Sequence, residues 1–146
     1  MKFIDINPNN FEQEIGALNS AVKSGENVYV MVHATWCGAC KQVSPVWLQL
    51  REKMNLNKTV AYIDSDVLKQ IGHIIKEGDI KHFPTFLRIQ GKRRFVFENP
   101  SDPDVGVFVK WLSDSDKSGS DKRSDKNGNK KSKINKKRNK KTRRKN

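Results

Sequence analysis

Residues 1–112 show two periods in the spacing of apolar and polar positions. Short apolar runs rich in β-branched residues predict buried strands, and apolar residues at every third or fourth position predict helices. The predicted strands are 3–6, 28–32, 59–63, 85–89 and 93–97, with a turn at 90–92. The predicted helices are 11–24, 41–55, 67–76 and one that starts within 101–104.

This order of elements predicts an α/β fold. Helices separate the first strands, so we expect these strands to pair in parallel through crossover connections. The turn at 90–92 instead joins the last two strands as an antiparallel hairpin. The expected architecture is a mixed β-sheet, with parallel strands plus an antiparallel C-terminal hairpin, flanked by helices on both faces. Pro45 lies inside the second helical pattern and should kink that helix.

The apolar pattern stops at residue 113, where the charge also changes. Residues 1–112 carry 14 Lys and Arg against 12 Asp and Glu, whereas residues 113–146 carry 15 Lys and Arg against 4 Asp. A segment with so few apolar residues buries too little surface to offset the entropy lost on ordering. We therefore predict a folded domain over 1–112 and a disordered, strongly basic tail over 113–146.

The basic tail has the composition of a segment that contacts nucleic acid or another polyanion. Lysine and arginine release counterions when they contact phosphates, and such binding is salt-sensitive and blind to sequence. Aromatic residues for base stacking are not interleaved in it. The alternative is a tail that only keeps the protein solvated.

The N-terminal sequence does not resemble a signal peptide, because Asp5 and Pro8 interrupt it and no apolar core is present. No stretch approaches the roughly 18 apolar residues of a membrane-spanning helix. We expect a cytoplasmic protein without a transmembrane segment. A nuclear or viral-particle location is the alternative, since residues 136–138 and 143–145 form basic clusters.

Both cysteines of the chain, Cys37 and Cys40, lie in a Cys-x-x-Cys motif that follows a predicted strand and opens a predicted helix. Backbone N–H groups at a helix N-terminus favour a thiolate, which is the nucleophile of disulfide exchange. Cys40 follows one helical turn later, within reach of the first sulfur. We therefore expect Cys37 to attack a substrate disulfide and Cys40 to resolve the mixed disulfide, with Trp36 as an apolar shoulder for substrates.

Three other interpretations of the cysteine pair stay open, and one of them is a pair of inert buried cysteines. A structural zinc site usually needs four ligands, and the three histidines lack finger-like spacing from the motif. No metal site is therefore expected. A purely structural disulfide would close a loop too short to stabilise the fold much.

The chain resembles the thioredoxin family in several separate motifs. The sequence W-C-G-A-C-K at 36–41 is similar to the active-site motif, and Pro45 matches the proline of the active-site helix. The sequence F-P-T at 83–85 resembles the family's hydrophobic-Pro-Thr signature, in which the proline is cis. V-A-Y-I-D-S-D at 60–66 resembles the central strand, and Gly91 falls in the hairpin as in the family.

The resemblance implies a thioredoxin-like fold and a protein-disulfide oxidoreductase activity that needs no cofactor. It implies that Cys37 and Cys40 are catalytic and that a surface binds the substrate peptide, made by Trp36, Gly38, Ala39, Phe83 and Pro84. The partners it implies are protein disulfides and a thiol electron donor, such as a thioredoxin-reductase-like enzyme. The alternative function is a thioredoxin-like binding module that the basic tail tethers to a polyanion, with incidental redox activity.

The chain departs from the family behind the resolving cysteine. Thioredoxins usually bury an acid and a lysine there, to help move the proton of the resolving thiol, and these positions are Met31 and Tyr62 here. We therefore expect slow release of the mixed disulfide. His33 lies on the same strand face as Met31 and is a candidate proton relay, or else it merely fills space. Ala39 brings no charge between the cysteines, which argues against a strong oxidant.

Overall fold

Five strands form one mixed sheet in the computed structural model, which describes residues 2–53, 57–98, 100 and 103–114. The strands are β1 (Lys2–Ile6), β2 (Asn27–His33), β3 (Thr59–Asp64), β4 (Thr85–Gln90) and β5 (Arg93–Phe97). Their spatial order is β1-β3-β2-β4-β5. β3 pairs in parallel with β1 and β2, whereas β4 is antiparallel to β2 and β5. The predicted mixed sheet with a C-terminal hairpin is therefore confirmed.

Helices cover both faces of this sheet, as predicted. They are α1 (Phe11–Lys23), α2 (Gly38–Leu48) and α3 (Val105–Asp114), with 3-10 segments at Gln49–Glu52, Ser65–Ile71 and Glu77–Asp79. We call the side covered by α1 and the Ser65–Ile71 segment the α1 face, and the side covered by α2 and α3 the α2 face. None of the helices in the described part of the chain is both long and apolar enough to cross a bilayer.

The strand β2 is the centre of the fold because its two sides enter two separate cores. Val28, Val30 and Val32 join the aliphatic core of the α1 face, whereas Tyr29 and Met31 join the core of the α2 face. A strand that is buried on both sides needs a continuous apolar run, which is the pattern that predicted it.

Aromatic side chains fill the core of the α2 face and attach α2 to the sheet. Trp47 packs edge-on against Phe108, with ring centroids 5.0 Å apart, and its indole N–H donates to the Ala61 carbonyl at 3.2 Å. Trp47 is fully buried, so this bond satisfies its polar atom inside the core. The helix that carries the cysteines is thus held in a fixed position.

Three predicted helix boundaries or types were wrong. The helix predicted at 67–76 is a 3-10 segment over Ser65–Ile71 followed by turns, since Gly72 and several isoleucines favour the α-helix weakly. The helix predicted at 41–55 begins at Gly38 and ends at Leu48, where 3-10 geometry takes over. The last helix begins at Val105, and the Asp104 carboxylate caps it by accepting the Val107 N–H at 3.1 Å.

The predicted basic tail falls outside the described residues from position 115 onward, and α3 runs to Asp114. The boundary at residue 112, the disorder of the tail and its contact with a polyanion stay predictions. The expected cytoplasmic location also stays a prediction.

Candidate active site

Cys37 lies where β2 has ended and α2 begins. Its backbone is extended and caps the helix, and its N–H donates to the Ala34 carbonyl at 3.1 Å. The Cys37 Sγ accepts a hydrogen bond from the Cys40 backbone N–H at 3.1 Å. A hydrogen bond from an N–H group is stronger when the accepting sulfur is negatively charged. The Cys40 N–H is therefore positioned to stabilise a thiolate at Cys37.

A second segment of the chain reaches Cys37 from the start of β4. The Phe83–Pro84 peptide bond is cis, which confirms the prediction from the resemblance. The Cys37 thiol donates to the Phe83 carbonyl at 3.5 Å, across 46 positions of sequence. The fold therefore brings together the Cys-x-x-Cys motif and the Phe-Pro-Thr motif, which the sequence shows only as separate signals.

An exposed apolar side chain borders the two motifs. Trp36 is 71% exposed and contacts Phe83 edge-on, with ring centroids 5.4 Å apart. Gly38 and Ala39 lie on the surface beside it, and Pro84 is buried below. These are the five residues predicted to bind a substrate peptide, and the structure places them around Cys37. Their binding role stays a prediction.

Cys40 is the less accessible thiol of the pair. It is 2% exposed, and Cys37 is 8% exposed. Burial, with the hydrogen bond to Cys37 as a smaller cause, raises the pKa of Cys40 to about 12. Cys40 therefore holds its proton at neutral pH.

The structure holds both cysteines as free thiols. Within the residues it describes, no group of three or more His, Cys, Asp or Glu side chains is arranged to hold a metal ion.

The residues at the family's proton-relay positions face each other on adjacent strands. Met31 of β2 is directly opposite Tyr62 of β3, and Met31 is fully buried. The Tyr62 hydroxyl donates to the Ser44 Oγ at 2.7 Å. The sequence analysis missed Ser44, although its position four residues after Cys40 puts it on the same side of α2.

His33, the predicted relay, lies at the end of β2 and is 9% exposed. Its ring stacks on Tyr62 with centroids 3.8 Å apart. Burial lowers the pKa of His33, against a smaller opposing effect of Asp64 and Asp5, so the ring is neutral at pH 7. Among the described residues its buried Nε2 has no hydrogen-bond partner. The relay role stays a prediction.

Comparison with known proteins agrees with this geometry. The family model for thioredoxin matches residues 2–105. A protein disulfide isomerase-like 2-3 from Oryza sativa is 33% identical over 100 residues, covering 68% of this chain and 21% of that protein. A thioredoxin from Coprinus comatus is 35% identical over 69 residues, covering 47% of this chain and 62% of that protein. The chain thus spans about a fifth of the isomerase-like relative's length.

Solved structures show the same fold. The J-Trx1 fragment of ERdj5 aligns with a TM-score of 0.60 at 14% identity, covering 80% of this chain and 50% of that one. The reduced thioredoxin pre-protein of Schistosoma mansoni aligns with a TM-score of 0.51 at 21% identity, covering 77% and 97%. With a family model that matches most of the domain, a Cys-x-x-Cys pair and a cis-proline beside it, the chain belongs to the thioredoxin family of thiol–disulfide oxidoreductases.

Proposed function

We propose that this protein exchanges its Cys37–Cys40 dithiol with disulfides of other proteins through a mixed-disulfide intermediate. The observation that carries the proposal is the position of the Cys37 sulfur. It lies between the Cys40 backbone N–H at 3.1 Å and the Phe83 carbonyl at 3.5 Å, at the edge of an exposed apolar surface.

In the first step the Cys37 thiolate attacks one sulfur of the substrate disulfide. A bond forms between Cys37 and that sulfur, the substrate S–S bond breaks, and the second substrate sulfur leaves as a thiolate that takes up a proton. The N–H at the start of α2 supports the attacking charge. Trp36 and Phe83 offer the apolar surface on which an extended substrate segment would lie.

In the second step the Cys40 thiolate attacks the Cys37 sulfur. The Cys37–Cys40 disulfide forms, the bond to the substrate breaks, and the substrate leaves reduced by two electrons. Cys40 must first lose its proton, and the raised pKa of this thiol makes that loss costly. This difference between the cysteines supports a slow second step.

We favour net reduction of substrates, because Ala39 places no charge between the cysteines that would stabilise the reduced pair strongly. A thiol donor, such as a thioredoxin-reductase-like enzyme, would then return the disulfide to the dithiol. In the reverse reaction, the oxidised protein would instead transfer its disulfide to a dithiol of the substrate.

Insulin reduction in dithiothreitol tests the proposal. The full chain should accelerate insulin precipitation, and Cys37→Ser should reduce that acceleration to the level of dithiothreitol alone. Cys40→Ser should instead accumulate mixed disulfides that dithiothreitol releases. Equal activity of wild type and Cys37→Ser would contradict the proposal. It would favour the tethered binding module, for which we find no supporting observation in the described residues.

A further inference from the structure

The core behind Cys40 contains a pair of hydroxyl groups whose contribution to the proposed reaction can be inferred. Met31 of β2 is buried in the core of the α2 face, and its thioether has no proton to donate and accepts only weakly. Tyr62 faces Met31 from β3 and presents a phenol that is partly buried. The two positions where the family usually has charged side chains therefore carry a thioether, Met31, and a neutral hydroxyl, Tyr62.

The two hydroxyls are linked and lie along the helix from Cys40. The Tyr62 phenol donates to the Ser44 Oγ at 2.7 Å, the usual length of a hydrogen bond between two hydroxyl groups. Ser44 follows Cys40 by four residues, so the two side chains lie on one side of α2. Because Ser44 accepts from Tyr62, its own proton is free to be donated onward.

Electrostatics also connect the phenol with Cys40. Burial is the largest cause that raises the pKa of Tyr62, the hydrogen bond with Ser44 partly opposes it, and negative charges at Asp5 and Cys40 raise it further. A phenol with a raised pKa keeps its proton at neutral pH and acts as a donor. The effect of Cys40 on this pKa also shows that the phenol lies close enough to Cys40 to interact with its charge.

The other charged groups near this site do not favour a thiolate. Asp5 on β1 and Asp64 on β3 both act on Tyr62 and His33 from the sheet, and both are negative. Arg51 lies 3.9 Å from Asp5, in an exposed pair that solvent screens. His33 is stacked on the phenol and neutral at pH 7, so it supplies no positive charge.

We propose that Tyr62 and Ser44 act as a polarised donor chain that stabilises the Cys40 thiolate in the resolving step. This inference rests on the proposed function. The Ser44 hydroxyl donates toward the Cys40 sulfur, directly after a rotation or through one water, and Tyr62 strengthens that donor. The Cys40 proton leaves to solvent, and the sulfur's electron pair forms the bond to Cys37 while the substrate thiolate departs. Tyr62 and Ser44 keep their own protons throughout.

Reaction with the disulfide reagent DTNB separates the two steps in one stopped-flow experiment. Attack by Cys37 releases one coloured thiolate, and resolution by Cys40 releases a second. For the full reduced chain at pH 7, Tyr62→Phe and Ser44→Ala should each slow the second release about tenfold, as expected for loss of a hydrogen bond to a charged group. The first release should stay unchanged, and the pH profile of the second should move up by about one pH unit.

Tyr29→Phe is the matched control, since Tyr29 is a buried tyrosine of the same face whose hydroxyl donates to the Leu112 carbonyl at 3.4 Å. Its second release should match wild type. The double variant of Tyr62 and Ser44 should release the second thiolate at most about twofold more slowly than either single variant, because the two groups act as one chain.

The inference is overturned if Tyr62→Phe and Ser44→Ala release the second thiolate as fast as wild type, or if both releases slow equally. Should Tyr62→Phe fail to fold, Ser44→Ala decides, because alanine favours the helix. Loss of the first release from the wild-type chain would contradict the proposed function instead, so the two failures are distinguishable.

Discussion

The two faces of the sheet are made of different residues, although the same strands supply both. The buried core residues of the α1 face are all aliphatic, such as Leu18, Val30 and Ile63. The core of the α2 face has five aromatic residues among its twelve buried members, including the fully buried Trp47 and Phe108, and it contains both cysteines. One face supplies apolar burial alone, and the other combines burial with reactive groups.

This difference shows how a small domain separates stability from chemistry. Aliphatic side chains pack without polar atoms, so the α1 face needs no hydrogen-bond partners in its core. On the α2 face, the Trp47 indole and the Tyr62 hydroxyl both bond to neighbouring groups. Such bonds fix α2, and with it the sulfur positions, relative to the sheet.

The largest expected effect is a loss of stability that leaves the reactivity of the cysteines unchanged. Leu18→Ala should lower the free energy of unfolding by about 3 kcal/mol, because a fully buried leucine leaves a cavity in the α1 face. Urea unfolding measures this loss. Under native conditions the first release in the DTNB reaction should keep the wild-type rate. A slowed release would show that the two faces are coupled rather than separate.

A smaller effect, on activity and not on stability, is expected at the exposed edge of the site. Trp36→Ala should reduce insulin reduction about fivefold, since this side chain is 71% exposed and offers the apolar contact for a protein substrate. The free energy of unfolding should change by less than about 0.5 kcal/mol. Reaction with the small reagent DTNB serves as the control and should be unaffected. Equal losses with insulin and DTNB would argue against a substrate-binding role.

The smallest effect concerns the buried histidine of the α2 face. Burial lowers the pKa of His33 in the folded protein. Between this lowered pKa and the ordinary histidine pKa of about 6.5, the unfolded chain binds more protons than the folded one, so the free energy of unfolding decreases as the pH decreases. His33→Phe removes this loss, so its urea midpoint should fall less between pH 7 and pH 5 than that of wild type. His73→Phe, at an exposed site, should behave like wild type.

The same His33→Phe variant also tests the proposed relay. If His33 accepts the Cys40 proton, the pH profile of insulin reduction should change between pH 5 and pH 8. An unchanged profile would remove His33 from the reaction and leave it as a packing partner of Tyr62.

Strands and the reactive motif were predictable because their signals are local. A continuous apolar run such as 28–32 is typical of a strand buried on both sides, and a helix N-terminus favours the thiolate of a Cys-x-x-Cys motif. The helix at 67–76 was predicted wrongly, because its apolar positions at 68, 71 and 74 fit a 3-10 spacing as well as an α-helical one. Periodicity alone does not distinguish these two geometries over so short a segment.

Contacts between distant segments required the tertiary structure. Nothing local in the sequence shows that the Phe83 carbonyl lies 3.5 Å from the Cys37 sulfur, or that Ser44 accepts from Tyr62. The resemblance to thioredoxins implied only that Phe83 and Pro84 share a substrate-binding surface with the residues beside Cys37. The second had only the spacing of Ser44 from Cys40 as a signal, which is common in helices and carries no chemical meaning by itself.

By itself, the sequence determined the order of strands and helices, the reactive cysteine pair and its family, because each depends on residues close together in the chain. The tertiary structure decided which cysteine is more deeply buried, and it joined the hydroxyl groups of Tyr62 and Ser44 by a hydrogen bond. Burial and hydrogen bonding depend on side chains brought together from β2, β3 and α2. Burial by the elements packed around Cys40 is the main cause of the raised pKa of this thiol.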